Sequence, residues 1–175
     1  SCTTRAPRLG EESGVDYHFV DDEKFAQMIA AEELLEHAEV YGKNYGTPKE
    51  WLLEKLRAGV DIILEIDWQG ARQIRQSFPA AVLIFILPPS LAVLEGRLRA
   101  RKSDSAETVK HRMGEVTCEL SHFREFDYLV VNDDFDAALD DLLSIVRSRH
   151  LLLPQQIRRQ HKLLHELLED LDKKG

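Results

Sequence analysis

From Ala81 to Leu87, between Pro79 and Pro88, every residue is apolar. The stretch is too short for an ordinary helix and has no polar side to turn to water, so it suits a strand covered on both faces. Ile62 to Ile66 has the same character, interrupted only by Glu65, and ends at Asp67. Strands of this kind occur in parallel sheets sandwiched between helices, and helical stretches do separate the strand candidates here. The expected fold class is α/β, a parallel sheet flanked by helices.

The other elements alternate in the same way. Tyr17 to Val20 reads as a short strand, and Glu23 to Ala30 as a helix behind Asp21 or Asp22. Leu34 to Tyr41 is a strand interrupted by polar residues. Thr47-Pro48-Lys49-Glu50 predicts a helix start, with Thr47 as N-cap, Pro48 at the first position and Glu50 closing a capping box. That helix runs to Ala58 and stops at Gly59. Further helices are expected over Gln69 to Ser77, from Ser90 as cap to Ala100, and from Ala106 to Leu120. Tyr128 to Val131 is the last strand and Phe135 to Arg149 a helix. Beyond Pro154, residues 155–172 form a helical tail with Ile157, Leu164, Leu168 and Leu171 on one face. That face suits either the core or a second subunit, and association into a homo-oligomer is expected.

The 175 residues suit a single domain, residues 1–175. A net charge of −8 disfavours a nucleic-acid partner, which needs a basic footprint. No apolar run approaches the roughly 18 residues of a membrane span. Cys2 and Cys118 are too few for a disulfide framework or a thiolate zinc site, so a reducing cytoplasmic setting is expected. The chain opens without Met, on a polar segment that reads as the inside of a domain.

Chemistry-bearing residues gather in several places. Ser1, Arg5 and Arg8 precede Tyr17, and Asn44-Tyr45-Gly46-Thr47 follows Glu36. Arginines form bidentate charge-assisted bonds to phosphate and tyrosine hydroxyls add neutral donors; Pro7 stiffens the loop between the two arginines. A solvated loop with ordinary charges is the bland account. Glu36 shares a strand face with Leu34, Ala38 and Val40 by alternation, and a carboxylate there needs a partner. Guanine fits, since its N1–H and N2–H2 are adjacent donors; a strand edge open to water is the alternative. The set suits a nucleoside monophosphate. Arg97 and Arg101 stand four apart on one helix face, with Arg112 beyond a polar break; they either close over transferring phosphates or form a charged surface row. Glu65 and Asp67 end a strand candidate where magnesium-phosphate chemistry sits in open α/β sheets. Asn132 contacts an adenine or simply precedes Asp133 and Asp134, which suit helix capping. His161 and His165, four apart in the tail, lack a third metal ligand.

The chain resembles guanylate kinases over nearly its whole length. The strings are Ser1-x-Thr3-Thr4-Arg5-x-Pro7-Arg8, Gly10-Glu11, Gly14-x-Asp16-Tyr17-x-Phe19-Val20 and Leu35-Glu36-His37-Ala38. They continue with Asn44-Tyr45-Gly46-Thr47, Ile66-Asp67-x-Gln69-Gly70, Phe85-Ile86-Leu87-Pro88-Pro89-Ser90, Arg97-Leu98-x-x-Arg101 and Val131-Asn132-Asp133-Asp134. The resemblance implies the phosphate-loop nucleoside monophosphate kinase fold, with a GMP-binding insert over residues 16–46 and a mobile lid over residues 100–117. It implies transfer of the γ-phosphoryl group of ATP to GMP, with Mg2+. Ser1, Arg5, Arg8, Tyr17 and Tyr45 would hold the GMP phosphate, and Glu36, Thr47 and Asp67 would read guanine. Arg97, Arg101 and Arg112 would neutralise the phosphates, Asn132 would lie near the adenine of ATP, and Glu65 and Asp67 would hold magnesium through water.

Three departures bear on activity. No Gly-x-x-x-x-Gly-Lys-Ser/Thr loop occurs in the 175 residues, so activity requires one upstream of Ser1. Without it a non-catalytic binding module of the same fold is the alternative. Glu65 stands where the family usually has Asp, which moves the carboxylate by about 1.5 Å. The lid reads Ala100-Arg101-Lys102 where glycines often flank the arginine, which stiffens its hinge. A kinase for another nucleoside monophosphate is a further reading, opposed by Glu36 with Thr47.

Overall fold

In the computed structural model, residues 1–100 and 106–172 are described, with side chains to Glu169. They form two compact units: residues 1–85 with 90–100 and 106–129, and residues 86–89 with 130–172.

The first unit is built on a four-stranded sheet. Its strands are β1 (Cys2–Thr3), β2 (His18–Phe19), β3 (Leu34–Val40) and β4 (Lys43–Pro48), in the order β2-β1-β4-β3. β1 runs parallel to β2 and antiparallel to β4, and β3 and β4 form an antiparallel hairpin. The sheet is therefore mixed, not purely parallel. Helix α1 (Asp22–Ala30) starts at Asp21, whose carboxylate accepts the Lys24 N–H at 2.7 Å. Its Phe25 and Met28 pack with Cys2 and Leu34 on one side of the sheet. Phe25 is almost wholly enclosed, and truncating such a side chain typically costs about 3–5 kcal/mol.

The hairpin was not legible as such. Residues 47–50 carry the signature of a capped helix start, yet Thr47 belongs to β4 and Pro48 is the N-cap of α2 (Lys49–Arg57), without a side-chain capping bond. Thr47 is buried and gives its hydroxyl elsewhere. Alternation also misplaces Leu34. Leu34 pairs with Pro48 and Glu36 with Thr47, so β3 carries one extra residue there. Directly paired residues share a face, and Pro48 and Thr47 face opposite ways. The bulge thus sends Leu34 to the apolar core and leaves Glu36 on the other face.

β3 is an edge strand, and helix α3 (Trp68–Ser77) covers its free edge. Gln73 donates to the His37 carbonyl at 2.7 Å and accepts the His37 N–H at 3.1 Å. Gln69 donates to the Glu39 carbonyl at 3.3 Å. Side-chain amides here replace a missing strand. α3 is also fastened by Arg72 to Glu125 and by Arg75 to Asp127, and its first residue, Trp68, stacks on His122 with ring centroids 3.6 Å apart.

Residues 60–67 are not a strand: no described strand pairs with them, and Ile63 is 82% exposed. Apolar composition gives a segment strand propensity, but a strand exists only where a neighbour takes its N–H and C=O groups. β5 (Ile84–Leu87) pairs with β6 (Tyr128–Val131) in a two-stranded sheet. The double burial expected of Ala81 to Leu87 is realised only in part, since Leu83 is buried and Ile86 exposed. Helices α4 (Leu91–Ala100) and α5 (Ala106–Ser121) complete the first unit; Ser90 accepts the Val93 N–H at 3.2 Å as the cap of α4.

In the second unit Asp134 caps α6 (Phe135–His150), accepting the Ala137 N–H at 2.9 Å. The tail is not one helix but two, α7 (Leu153–Arg159) and α8 (His161–Asp172), broken at Gln160. Leu164 and Leu168 are exposed on α8. No helix among the described residues is long and apolar enough to cross a membrane.

Candidate active site

Strand pairing assembles the site on the face of the sheet opposite α1. Thr47 pairs with Glu36, and Tyr45 pairs with both Ala38 and Thr3. Because side chains two apart on a strand point the same way, Thr47 and Tyr45 lie on one face about 7 Å apart along β4. Thr3 pairs in turn with Phe19, which brings in Tyr17 from two residues upstream. A polar ladder therefore runs from Glu36 to the start of β2.

One end of the ladder is a buried acid. Glu36 is 3% exposed and Thr47 2%. The Thr47 hydroxyl donates to Glu36 Oε1 at 2.6 Å, the short distance of a charge-assisted bond. Burial raises the Glu36 pKa above the ordinary carboxylate range; the Thr47 bond opposes this and the Asp67 charge adds to it. The other oxygen lies over Gly70, where a Cβ would come within 2.5 Å of it. Glycine here gives the carboxylate its room. Asp67, at the N-cap of α3, accepts the Gly70 N–H at 3.0 Å and the Gln69 amide at 2.9 Å. Capping is thus its observed role, and it fixes the glycine beside Glu36.

The other end is cationic and aromatic. Arg5 makes twin bonds to Glu11 at 3.0 and 2.9 Å and donates to the Ala6 carbonyl at 2.8 Å. Its guanidinium lies 5.4 Å from the Tyr17 ring centroid and 5.7 Å from that of Phe19, and Tyr45 interacts with it as well. Tyr17 and Tyr45 meet edge to face at 6.2 Å. Glu11 also accepts the Arg8 N–H at 2.7 Å, so one carboxylate organises both arginines of the loop. Arg5, and then that N–H, hold the Glu11 carboxyl below its usual range. Thr3 and Thr4 tie the loop to the hairpin: the Thr3 hydroxyl donates to the Asn44 carbonyl at 2.9 Å, and Thr4 Oγ1 accepts the Asn44 N–H at 3.1 Å.

Other expected residues are placed separately. Ser1 is exposed, its carbonyl accepting the His18 N–H at 2.8 Å. Arg97 is exposed on α4. Arg112 is half-buried on α5, its guanidinium 4.7 Å from the Tyr41 ring centroid. Arg101 lies outside the described residues. Glu65 is exposed in the unpaired segment, and Asn132 belongs to the second unit, where its N–H donates to the Leu87 carbonyl at 2.7 Å. Among the described residues no group of three or more His, Cys, Asp or Glu is placed to hold a metal ion. Sequence reasoning missed Glu11, Gly70 and Tyr41 as parts of the site. Glu11 left a signal, as the first of the acidic pair Glu11-Glu12 that follows two arginines in a short loop, and Gly70 stands in one of the strings shared with guanylate kinases, without a role attached.

Comparison with known proteins identifies the family. The family model described as guanylate kinase matches residues 1–149. A guanylate kinase from Nitrosococcus oceani is 55% identical over 169 residues, covering 97% of this chain and 83% of that protein. One from Escherichia coli K12 is 51% identical over 170 residues, covering 97% and 82%. A crystal structure of guanylate kinase from Anaplasma phagocytophilum superposes with a TM-score of 0.78 at 36% identity, covering 97% of this chain and 81% of that one.

Proposed function

Because this chain belongs to the guanylate kinase family, whose members move the γ-phosphoryl group of ATP to GMP, we propose that its sheet face seats the acceptor GMP. The observation that carries this is the buried Glu36–Thr47 pair. A carboxylate held in a nearly dry site offers adjacent acceptors to N1–H and N2–H2 of guanine and none of the donors adenine would need. Arg5, Arg8, Tyr17 and Tyr45, with Ser1 just before β1, bind the phosphate at the other end of the ladder. Asp67 supports guanine recognition by holding Gly70 against Glu36.

The phosphate oxygen of GMP is already a nucleophile, so no strong general base is needed. Positioning and charge neutralisation supply the acceleration. Arg97, Arg101 and Arg112 neutralise the transferring phosphates, and Asn132 lies near the adenine of ATP. Magnesium prefers six oxygen donors and keeps several waters. An exposed Glu65 and an Asp67 already accepting two bonds fit a water-mediated hold, and the ion supplies charge neutralisation on the donor phosphates when bound. We place the reaction in the cytoplasm, consistent with two unbridged thiols, and assign the exposed leucines of α8 to contact with a second copy. A monomeric mass in solution at micromolar concentration refutes that contact.

The test of the site is acceptor choice. IMP lacks the N2 amine, so GMP should be phosphorylated at least about tenfold more efficiently than IMP, a preference that Glu36→Gln abolishes. Equal use of GMP and IMP by the unaltered protein overturns the assignment of Glu36.

A further inference from the structure

We propose that Tyr41 is a positioning residue that ties the β3–β4 hairpin to Arg112 on α5, so that the element seating GMP also sets the guanidinium facing the phosphates. The idea rests on the role given to Arg112 above. Tyr41 and Gly42 form the two-residue turn between Val40 and Lys43, and both have positive φ, 52° and 71°. Turns of this type favour Asn, Asp or Gly at the first position, and a bulky side chain there is strained. The ring sits in a made place nonetheless. The Arg112 guanidinium lies 4.7 Å from its centroid, and the His111 ring meets it edge-on at 6.0 Å. Its hydroxyl donates to Glu119 Oε1 at 2.8 Å. Burial, then the Glu119 bond, push the phenol pKa upward, so it remains a donor.

Helical spacing explains how α5 presents several side chains to one ring. His111, Glu115 and Glu119 succeed each other at four-residue steps, and Arg112 lies seven before Glu119, so all share one face. Glu115 adds its charge around the phenol. An arginine has several free rotors, and the ring restricts where this one can point. A guanidinium displaced by about 1 Å loses much of its effect on a transferring phosphate.

The test is a double-variant cycle in the full-length enzyme, with kcat and KM for GMP, GMP affinity by calorimetry and thermal midpoints. Tyr41→Leu should lower kcat about tenfold and change KM for GMP less than about threefold, while Tyr41→Phe, which keeps the ring, restores most of kcat. In an Arg112→Ala background Tyr41→Leu should cost nothing further. An equal loss in both backgrounds overturns the coupling, as does a rise in KM with kcat intact. An Arg112→Ala enzyme with full kcat overturns instead the role of Arg112, and the coupling with it.

Discussion

Gly70→Ala isolates the geometry on which the proposed recognition of guanine depends. A Cβ at this position would stand 2.5 Å from Glu36 Oε2 and 3.3 Å from both Glu36 Cδ and Ile66 Cβ. Ordinary carbon–oxygen contact needs roughly 3.4 Å, so the carboxylate must retreat by about 1 Å. Its other oxygen holds the Thr47 hydroxyl at 2.6 Å, and a retreat of that size breaks the bond or turns the carboxylate away from its ligand. Two effects on stability oppose each other. Alanine in a helix gains about 1 kcal/mol over glycine, and overpacking a buried contact costs about 1–3 kcal/mol, so the thermal midpoint should fall only slightly. Binding has no such compensation. Misplacing one charge-assisted acceptor should remove about 1.5–3 kcal/mol, a loss of roughly 10- to 100-fold in GMP affinity by calorimetry. Gly96→Ala is the control, because nothing lies within 4 Å of a Cβ at that helical position. It should stabilise the protein slightly and leave GMP affinity alone. GMP affinity within twofold of the unaltered protein in Gly70→Ala would refute the contact as the reason for glycine.

Three further outcomes follow from the charges. Glu36 has a raised folded pKa, so its contribution to stability is fullest below the unfolded value of about 4.3 and is lost as pH rises through the folded one. The thermal midpoint of Glu36→Gln should therefore gain on that of the unaltered protein between pH 4 and 8; a constant difference counts against a desolvated carboxylate. Glu125 has the opposite sign: Arg72, then His122, lower its pKa to about 2. Its stabilisation is present above the unfolded value and lost as pH falls toward 2, so Glu125→Gln should flatten the acid limb of a melting profile. Glu11→Gln should loosen Arg5 and weaken GMP binding about tenfold without changing guanosine binding; tighter GMP binding would show that Glu11 competes with the phosphate instead of organising its receptor.

The order of residues determined the chemistry and the local elements. A cap at Ser90, caps narrowed to Asp21 or Asp22 and to Asp133 or Asp134, the span Tyr128–Val131 and the arginines and tyrosines proposed to hold phosphate are all properties of near neighbours or of single side chains. Tertiary structure decided whatever needed a partner far along the chain. Thr47 reads locally as a helix cap, but a buried carboxylate eleven positions earlier takes its hydroxyl. Leu34 and Glu36 read as same-face neighbours until pairing with β4 inserts a bulge between them. Tyr41 meets Glu119 across 78 positions, and residues 60–67, apolar enough for a strand, meet no described strand at all. Periodicity reports which way side chains want to face; hydrogen-bond partners and close contacts, set by the whole fold, decide which way they do.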